Sequence, residues 1–336
     1  EKLILSKSIF FRFEINKKIG SGHAIRCLRI AKYLCEKKFK IFLIISNKSL
    51  INLKKIPIKI NGSFKVLKIR EYDSIIKDAQ NTVNIICNQK LNSQIYVFKD
   101  VYKLDLKWDN IVMKKYTNLI ILDDFVDKKH NCKVYINFNP YKYKQIRYSK
   151  KHIKYLLGLK YFPYAKKKLK NKKKNNCLIY FGASDNKNLT IKIIKILNRL
   201  NLSYINFIII VGKLNHNKKN IKKIIQFKNY TIIDKFINLE NIYNNCNFMI
   251  GTGGTSLWEA LAHKVYPLII PTHNNHIDSC IYLSKRKKIS SLKDFKMNNE
   301  LKKKYILRYF NTPVKRSNNN VIDNNGLKRI YNSINA

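Results

Sequence analysis

Phe248-Met249-Ile250-Gly251-Thr252-Gly253-Gly254-Thr255-Ser256-Leu257-Trp258-Glu259 packs three kinds of residue into one short stretch. An apolar run too short for a buried helix is followed by three glycines, then by hydroxyl residues that open a second apolar segment. The reading is strand, tight turn, helix. Glycine lets backbone N–H groups approach a ligand, and a helix N-terminus favours negative charge, so the turn is a candidate phosphate cradle. Gly253, Gly254, Thr255, Ser256 and Glu259 are its candidate nucleotide-binding residues. Ser256-x-x-Glu259 admits two readings: a capping box, or a carboxylate that reaches a ribose diol.

Working outward, the same unit recurs. Short runs that are apolar on both faces occupy 41–45, 95–98, 119–122, 177–181, 205–211, 248–250 and 268–270, as buried parallel strands require. Between them lie segments of helical spacing, with Ile25, Leu28, Ala31 and Leu34 on one face and Ile193, Ile196, Leu197 and Leu200 on another within 189–200. Alternating strand and helix means βαβ units, so the expected fold class is α/β, with two doubly wound, Rossmann-like domains. The alternation breaks once, at the lysine-rich run 165–176. We therefore expect an N-terminal domain over 1–164, a solvated connection over 165–176 and a nucleotide-binding domain over 177–336. A ligand is expected in a cleft between them.

The first half opens with its own glycine turn, Ile19-Gly20-Ser21-Gly22-His23, running directly into a helix. His23 falls in the first turn of that helix, where the positive end of the dipole discourages protonation and leaves the imidazole available as a base. The alternative is a capping or simply exposed histidine. Polar groups also stand where other strands end: Asp100 and Tyr102, Asp123 and Asp124, and Gly182 to Asp185. The carboxyl ends of strands line the ligand crevice of open α/β sheets, so these positions are candidates too. Adjacent Asp123 and Asp124 suggest a metal pair, but no third ligand accompanies them. His273 and His276 also lack a completing cysteine or carboxylate, and no metal site or cofactor is expected.

Composition bounds the partners. The chain has 336 residues, more than the roughly 100–200 of an average domain. Its hydrophobic content of 45%, with 21 Tyr and 17 Phe, supplies two cores. The 68 Lys+Arg against 20 Asp+Glu give a formal charge of +48, which invites a polyanion-binding reading. Lysine is nevertheless spread through nearly every segment, and Asn, Ile, Tyr and Phe are also abundant. That profile points to AT-rich coding rather than a nucleic-acid surface, and no nucleic-acid partner is expected. The seven cysteines contain no CxxC pair and read as reduced thiols of a cytoplasmic protein. EKLILSKSIFFRF is broken by charge, so no secretory leader is expected, and the longest apolar runs are too short for a bilayer span.

The ordered motifs resemble the PseG/SpsG family, whose members hydrolyse UDP-2,4-diacetamido-2,4,6-trideoxy-β-L-altropyranose in pseudaminic acid biosynthesis. The likeness runs from Arg12-x-Glu14 and Gly20-x-Gly22-His23-x-x-Arg26-Cys27-Leu28 through Asp100-x-Tyr102, Asp123-Asp124 and Asn137-x-Asn139. It continues through Gly158-x-x-Tyr161, Gly182-x-x-Asp185, Ser256-x-x-Glu259, Asn275 and Asp323-x-x-Gly326-x-x-Arg329. His276 stands where the family has Gln, and Tyr164-Ala165 where it has an Arg and an acidic residue. The resemblance implies a two-domain glycosyltransferase B arrangement, with a UDP-sugar as substrate and His23 as the catalytic residue. It implies sugar-binding roles for Gly20, Gly22, Arg26, Tyr102, Asp124 and Asn275, and a nucleotide site that includes Gly182, Asp185 and Glu259. The two glycine loops also look like those of the N-acetylglucosaminyltransferase MurG, so the alternatives are a nucleotide-sugar transferase and, from another class, a basic RNA-associated protein.

Overall fold

A computed structural model describes residues 6–15, 21–53, 63–71, 74–125, 127–140, 151–165, 174–212, 215–225, 227–234, 239–272, 274–292, 298–312 and 322–335. The chain divides into two compact units, Glu1–Ala165 with Asn324–Ala336, and Lys166–Asp323.

The first unit alternates strand and helix in chain order. It runs β1 (Lys7–Phe13), α1 (Gly22–Glu36), β2 (Lys40–Ser46), α2 (Asn47–Leu53), β3 (Phe64–Ile69), α3 (Ile75–Cys87), β4 (Gln94–Asp100) and α4 (Leu106–Met113). Then follow β5 (Leu119–Leu122), β6 (Val134–Asn137), β7 (Lys154–Leu157) and a 3-10 turn, Leu159–Tyr161. The sheet order is β3-β2-β1-β4-β5-β6-β7, with parallel pairing throughout. Helices cover both faces, which is why the central strands read as unbroken apolar runs. Phe10, Ile44, Val97, Trp108 and Ile121 belong to one buried cluster on this sheet. In α1 the buried stripe is Ala24, Cys27, Leu28, Ala31 and Leu34. Ile25, expected on that stripe, is only half-buried, because the stripe is rotated by one residue.

The second unit repeats the plan with β8 (Lys174–Tyr180), α5 (Leu189–Leu197), β9 (Asn206–Ile210), α6 (Lys218–Lys223), β10 (Tyr230–Ile233) and α7 (Leu239–Asn245). It continues through β11 (Cys246–Gly251), α8 (Thr255–Ala262), β12 (Tyr266–Ile269), α9 (Asn274–Lys285), β13 (Ser290–Ser291) and α10 (Asn299–Asn311). Its parallel sheet is ordered β10-β9-β8-β11-β12-β13. Ile179, Ile193, Ile209, Ile250 and Tyr309 lie in its main buried cluster. The Tyr309 hydroxyl accepts from Met249 N at 3.1 Å and donates toward Tyr266 O at 2.7 Å, tying α10 to β11 and β12.

The chain's last helix, α11 (Gly326–Asn335), belongs to the first unit. Arg329 Nη1 donates to Lys160 O at 2.8 Å, and a Cβ on Gly326 would stand 2.0 Å from Phe162 O. Gly326 is thus the contact point that seats the helix on the 3-10 turn. Nothing in the sequence after residue 177 signals this return. Within the lysine-rich run, residues 166–173 lie outside the described residues, while 174–176 already belong to β8.

Candidate functional site

Strand order reverses between β1 and β4 in the first sheet and between β8 and β11 in the second, and ligands of open α/β sheets bind outside the carboxyl ends of strands at such points. Most of the described candidate residues fall at or beside these two places.

In the first unit, α1 starts after Ser21, whose side chain makes no capping bond. His23 therefore lies in the first turn, and it is neither a cap nor exposed, with a relative exposure of 6%. Its Nδ1 lies 2.6 Å from Asp100 Oδ1 at the end of β4. Arg26, one turn further along the same helix face, donates from Nε to Asp100 Oδ2 and from Nη2 to Asp100 Oδ1, both at 2.6 Å. Its Nη1 reaches both oxygens of Asp124 after β5, at 2.9 and 2.8 Å. Tyr102 donates its hydroxyl to Asp124 Oδ2, and its ring meets the His23 ring edge-on at 4.3 Å between centroids. Phe138 lies under the guanidinium, 5.5 Å away. Gly22, His23, Arg26, Tyr102 and Asp124 are thus assembled at one sheet end, whereas Gly20 lies outside the described residues.

Charge fixes the protons. Burial alone would raise the Asp100 carboxyl, but Arg26 and His23 more than reverse this and hold it well below the usual carboxylate range. Asp100 is then an obligate acceptor, so His23 Nδ1 carries a proton toward it. The 3.3 Å approach of Arg26 Nη2 to the same Nδ1 sets two donors side by side and is no hydrogen bond. Nε2 is left as the ring nitrogen not engaged by Asp100. Burial and the Asp124 charge push the Tyr102 hydroxyl up, so it stays a donor. Burial likewise raises the Cys27 thiol, which donates to Asp100 at 3.4 Å and is not a nucleophile. The arrangement is an oriented imidazole with a carboxylate behind it and a clamped arginine beside it.

Asp123 and Asp124 do not converge on a metal. Asp124 is engaged by Arg26 and Tyr102, whereas Asp123 Oδ2 accepts the Tyr135 hydroxyl at 3.1 Å and its Oδ1 accepts Phe125 N at 3.1 Å. No three His, Cys, Asp or Glu among the described residues gather as a metal set. Asn139 Nδ2 donates to Asp124 O at 3.0 Å and steadies the same turn.

In the second unit, the Gly251 to Ser256 turn follows β11, and Gly182 follows the neighbouring β8 with φ +88 and open space where a Cβ would be. Gly254 occupies the N-cap of α8 without any side-chain capping bond. Ser256 therefore sits inside the helix, and the capping-box reading of Ser256 and Glu259 falls. Glu259 is buried on the same helix. Asp185 accepts from Leu189 N and Thr190 N, both at 2.9 Å, so its two oxygens anchor the start of α5. Asn275 lies on α9, and its side chain is outside the described residues, as is His273. His276 covers the glycine turn: a Cβ on Gly253 would meet its Cβ at 2.7 Å. Thr252 Oγ1 lies 2.9 Å from Thr272 Oγ1 and 3.3 Å from His276 Nδ1. Thr252, Thr272 and His276 form a polar group beside the candidate cradle, and nothing in the sequence pattern pointed to Thr272.

The fold is shared with proteins of known structure. Its two Rossmann-like units are those of the glycosyltransferase B fold. The whole chain is similar to MurG of Acinetobacter baumannii, at TM-score 0.69 and 12% identity over 98% of this chain and 99% of that one. It is also similar to a UDP-glucosyltransferase from Polygonum tinctorium, at TM-score 0.64 and 9% identity over 100% of both chains. Spinosyn rhamnosyltransferase SpnG, solved with thymidine diphosphate, matches at TM-score 0.64 and 9% identity, covering 98% of this chain and 96% of that one. In sequence, an uncharacterized protein of Methanocaldococcus jannaschii is 26% identical over 292 residues, 81% of this chain and 57% of that protein. The chain thus spans little more than half the length of that relative. No protein-family model matches the chain.

Proposed function

We propose that this chain transfers a sugar from a nucleoside diphosphate to a hydroxyl acceptor, with His23 as the base. The observation that carries the proposal is the His23–Asp100 pair, 2.6 Å apart at the strand-order reversal of the first unit. His23 Nε2 takes the proton of the attacking hydroxyl. The new C–O bond forms at the anomeric carbon as the bond to the diphosphate breaks, and the electron pair leaves on the phosphate oxygen. A single displacement inverts the anomeric centre. General-base help of this kind contributes roughly 10²- to 10⁴-fold. In the second unit, the Gly253-Gly254 turn with Thr255 and Ser256 is assigned the diphosphate, Gly182 a place beside it, and Glu259 the ribose. The fold shared with nucleotide-sugar transferases supports this assignment.

A second reading has water as the acceptor. It is favoured by the resemblance of the motif series to that of the pseudaminic-pathway hydrolases, because Arg26, Asp100, Tyr102, Asp124 and Asn139 of that series meet in the His23 centre. One experiment separates the two readings. Purified protein is incubated with UDP- and dTDP-sugars, with and without hydroxyl acceptors, while nucleoside diphosphate and the product anomer are followed. Release that needs an acceptor supports transfer, and release in buffer alone supports hydrolysis. Release that persists unchanged in His23→Ala would sink both.

A further inference from the structure

Behind the His23 centre lies a second cluster of buried charge that the proposed reaction does not use. His130 has a relative exposure of 8%. Its Nδ1 is 2.8 Å from Asp109 Oδ2 on α4, and its Nε2 is 3.7 Å from Asp123 Oδ2 at the end of β5. Asp109 is also paired with the buried Lys99 of β4, which donates to Leu104 O at 3.0 Å. Tyr135 of β6 completes the surroundings, its ring 5.7 Å from the imidazole and its hydroxyl on Asp123. A neutral ring protonated at Nε2 would aim the Nδ1 lone pair at Asp109 Oδ2, while Nε2, buried without a hydrogen-bond partner among the described residues, faces Asp123 across 3.7 Å. Protons on both nitrogens remove that repulsion, and they balance Lys99 and His130 against Asp109 and Asp123.

We propose that His130 is a positioning residue: an imidazolium wedged between Asp109 and Asp123 that holds the turn after β5 so that Asp124 grips Arg26 and Tyr102. Asp123 and Asp124 are consecutive and face opposite ways, one toward His130 and the other toward Arg26, so a displacement of one carboxylate rotates the other. Burial and Lys99 oppose the charge, but hydrogen bonding to Asp109 and attraction to Asp123 outweigh them and raise His130 above the ordinary histidine range. The sign follows. The ion pairs are intact below the unfolded histidine value of about 6.5 and are lost as pH rises through the raised folded value.

The inference rests on the proposed reaction only for its turnover arm, and its first readout is independent of activity. In protein labelled with nitrogen-15 histidine, with signals assigned through His130→Gln and His23→Gln, His130 should keep both ring protons to a higher pH than an ordinary histidine does. The His23 ring signals should then move with the same midpoint as His130. Asp123→Asn should lower the His130 midpoint, and this variant also serves if His130→Gln fails to fold. If turnover is found, kcat should fall several-fold along that basic limb with KM nearly unchanged, and His130→Gln should lack the limb. A His130 that titrates at or below the ordinary histidine value, or His23 signals blind to its transition, would overturn the proposal. An absence of turnover with the coupled titration intact would count against the proposed reaction alone.

Discussion

In the proposed reaction His23 acquires its role from a partner 77 positions away. In the first turn of a helix a histidine has several possible fates, and the carboxylate of Asp100 selects one by claiming the Nδ1 proton. His23→Ala should therefore lower turnover by about 10²-fold or more while leaving nucleotide affinity nearly unchanged, as read from initial rates and calorimetric titration. Asp100→Asn keeps the shape but presents an amide in place of an obligate acceptor, so a comparable loss in kcat is expected, with near-normal KM. The same aspartate has a pH signature. Its folded pKa is depressed, so its stabilising effect is complete above the unfolded carboxylate value of about 3.9 and fades as pH falls below it. Acid unfolding followed by circular dichroism should be less steep in Asp100→Asn than in the parent. An unchanged acid limb would mean that the Arg26–Asp100 contact contributes nothing to folding.

At the scale of elements, most interior strands were legible and the edge strands were not; interior β1 and β6 are exceptions, β1 because Lys7, Ser8 and Arg12 interrupt it and β6 because it has only four residues. β2, β4, β5, β8, β9, β11 and β12 are interior, covered on both faces, and advertise themselves as apolar runs. The edge strands β3, β7, β10 and β13 do not, because an edge has less to bury and tolerates lysine and polar side chains, as in Phe64-Lys65-Val66-Leu67-Lys68-Ile69. Among the helices, α11 is the one whose placement is least apparent. Gly326→Ala would drive a methyl group into the backbone carbonyl of Phe162, which cannot move aside as a side chain can. A loss of about 2 kcal/mol or more is expected, since overpacking commonly costs in the range of 1–3 kcal/mol. Faster amide hydrogen exchange confined to 326–335 and the 3-10 turn would locate it. Normal exchange there would show that α11 is seated by other contacts.

For the whole molecule, the dominant fact is a formal charge of +48. Charge of one sign repels itself in the compact state, and salt screens this over a Debye length of about 10 Å at 0.1 M. Raising sodium chloride from about 50 mM to about 500 mM should therefore raise the melting temperature, with sulfate acting at least as strongly. A melting temperature that falls with salt would show that specific surface ion pairs outweigh the repulsion. RNA binding at physiological salt that survives His23→Ala would support a polyanion role for the lysines. No helix among the described residues is long and apolar enough to cross a membrane.

The sequence by itself determined the class of fold and the candidate positions for chemistry, because both are written in local pattern. Buried parallel strands need apolar runs, crossover helices need a three- and four-residue period, and a loop that admits a ligand's phosphate needs glycine before a helix. That was enough to place His23 in the first turn of a helix and Gly182 and the Gly251 to Ser256 turn after strand ends. Tertiary structure alone decided which carboxylate stands behind His23, that Asp123 and Asp124 face opposite ways, that Asp185 anchors its own helix, and that α11 returns to the first unit. Each of these is a pairing between groups far apart in the chain. Local pattern constrains only near neighbours, so the register of sheets and the docking of helices had to be known before such partners could be named.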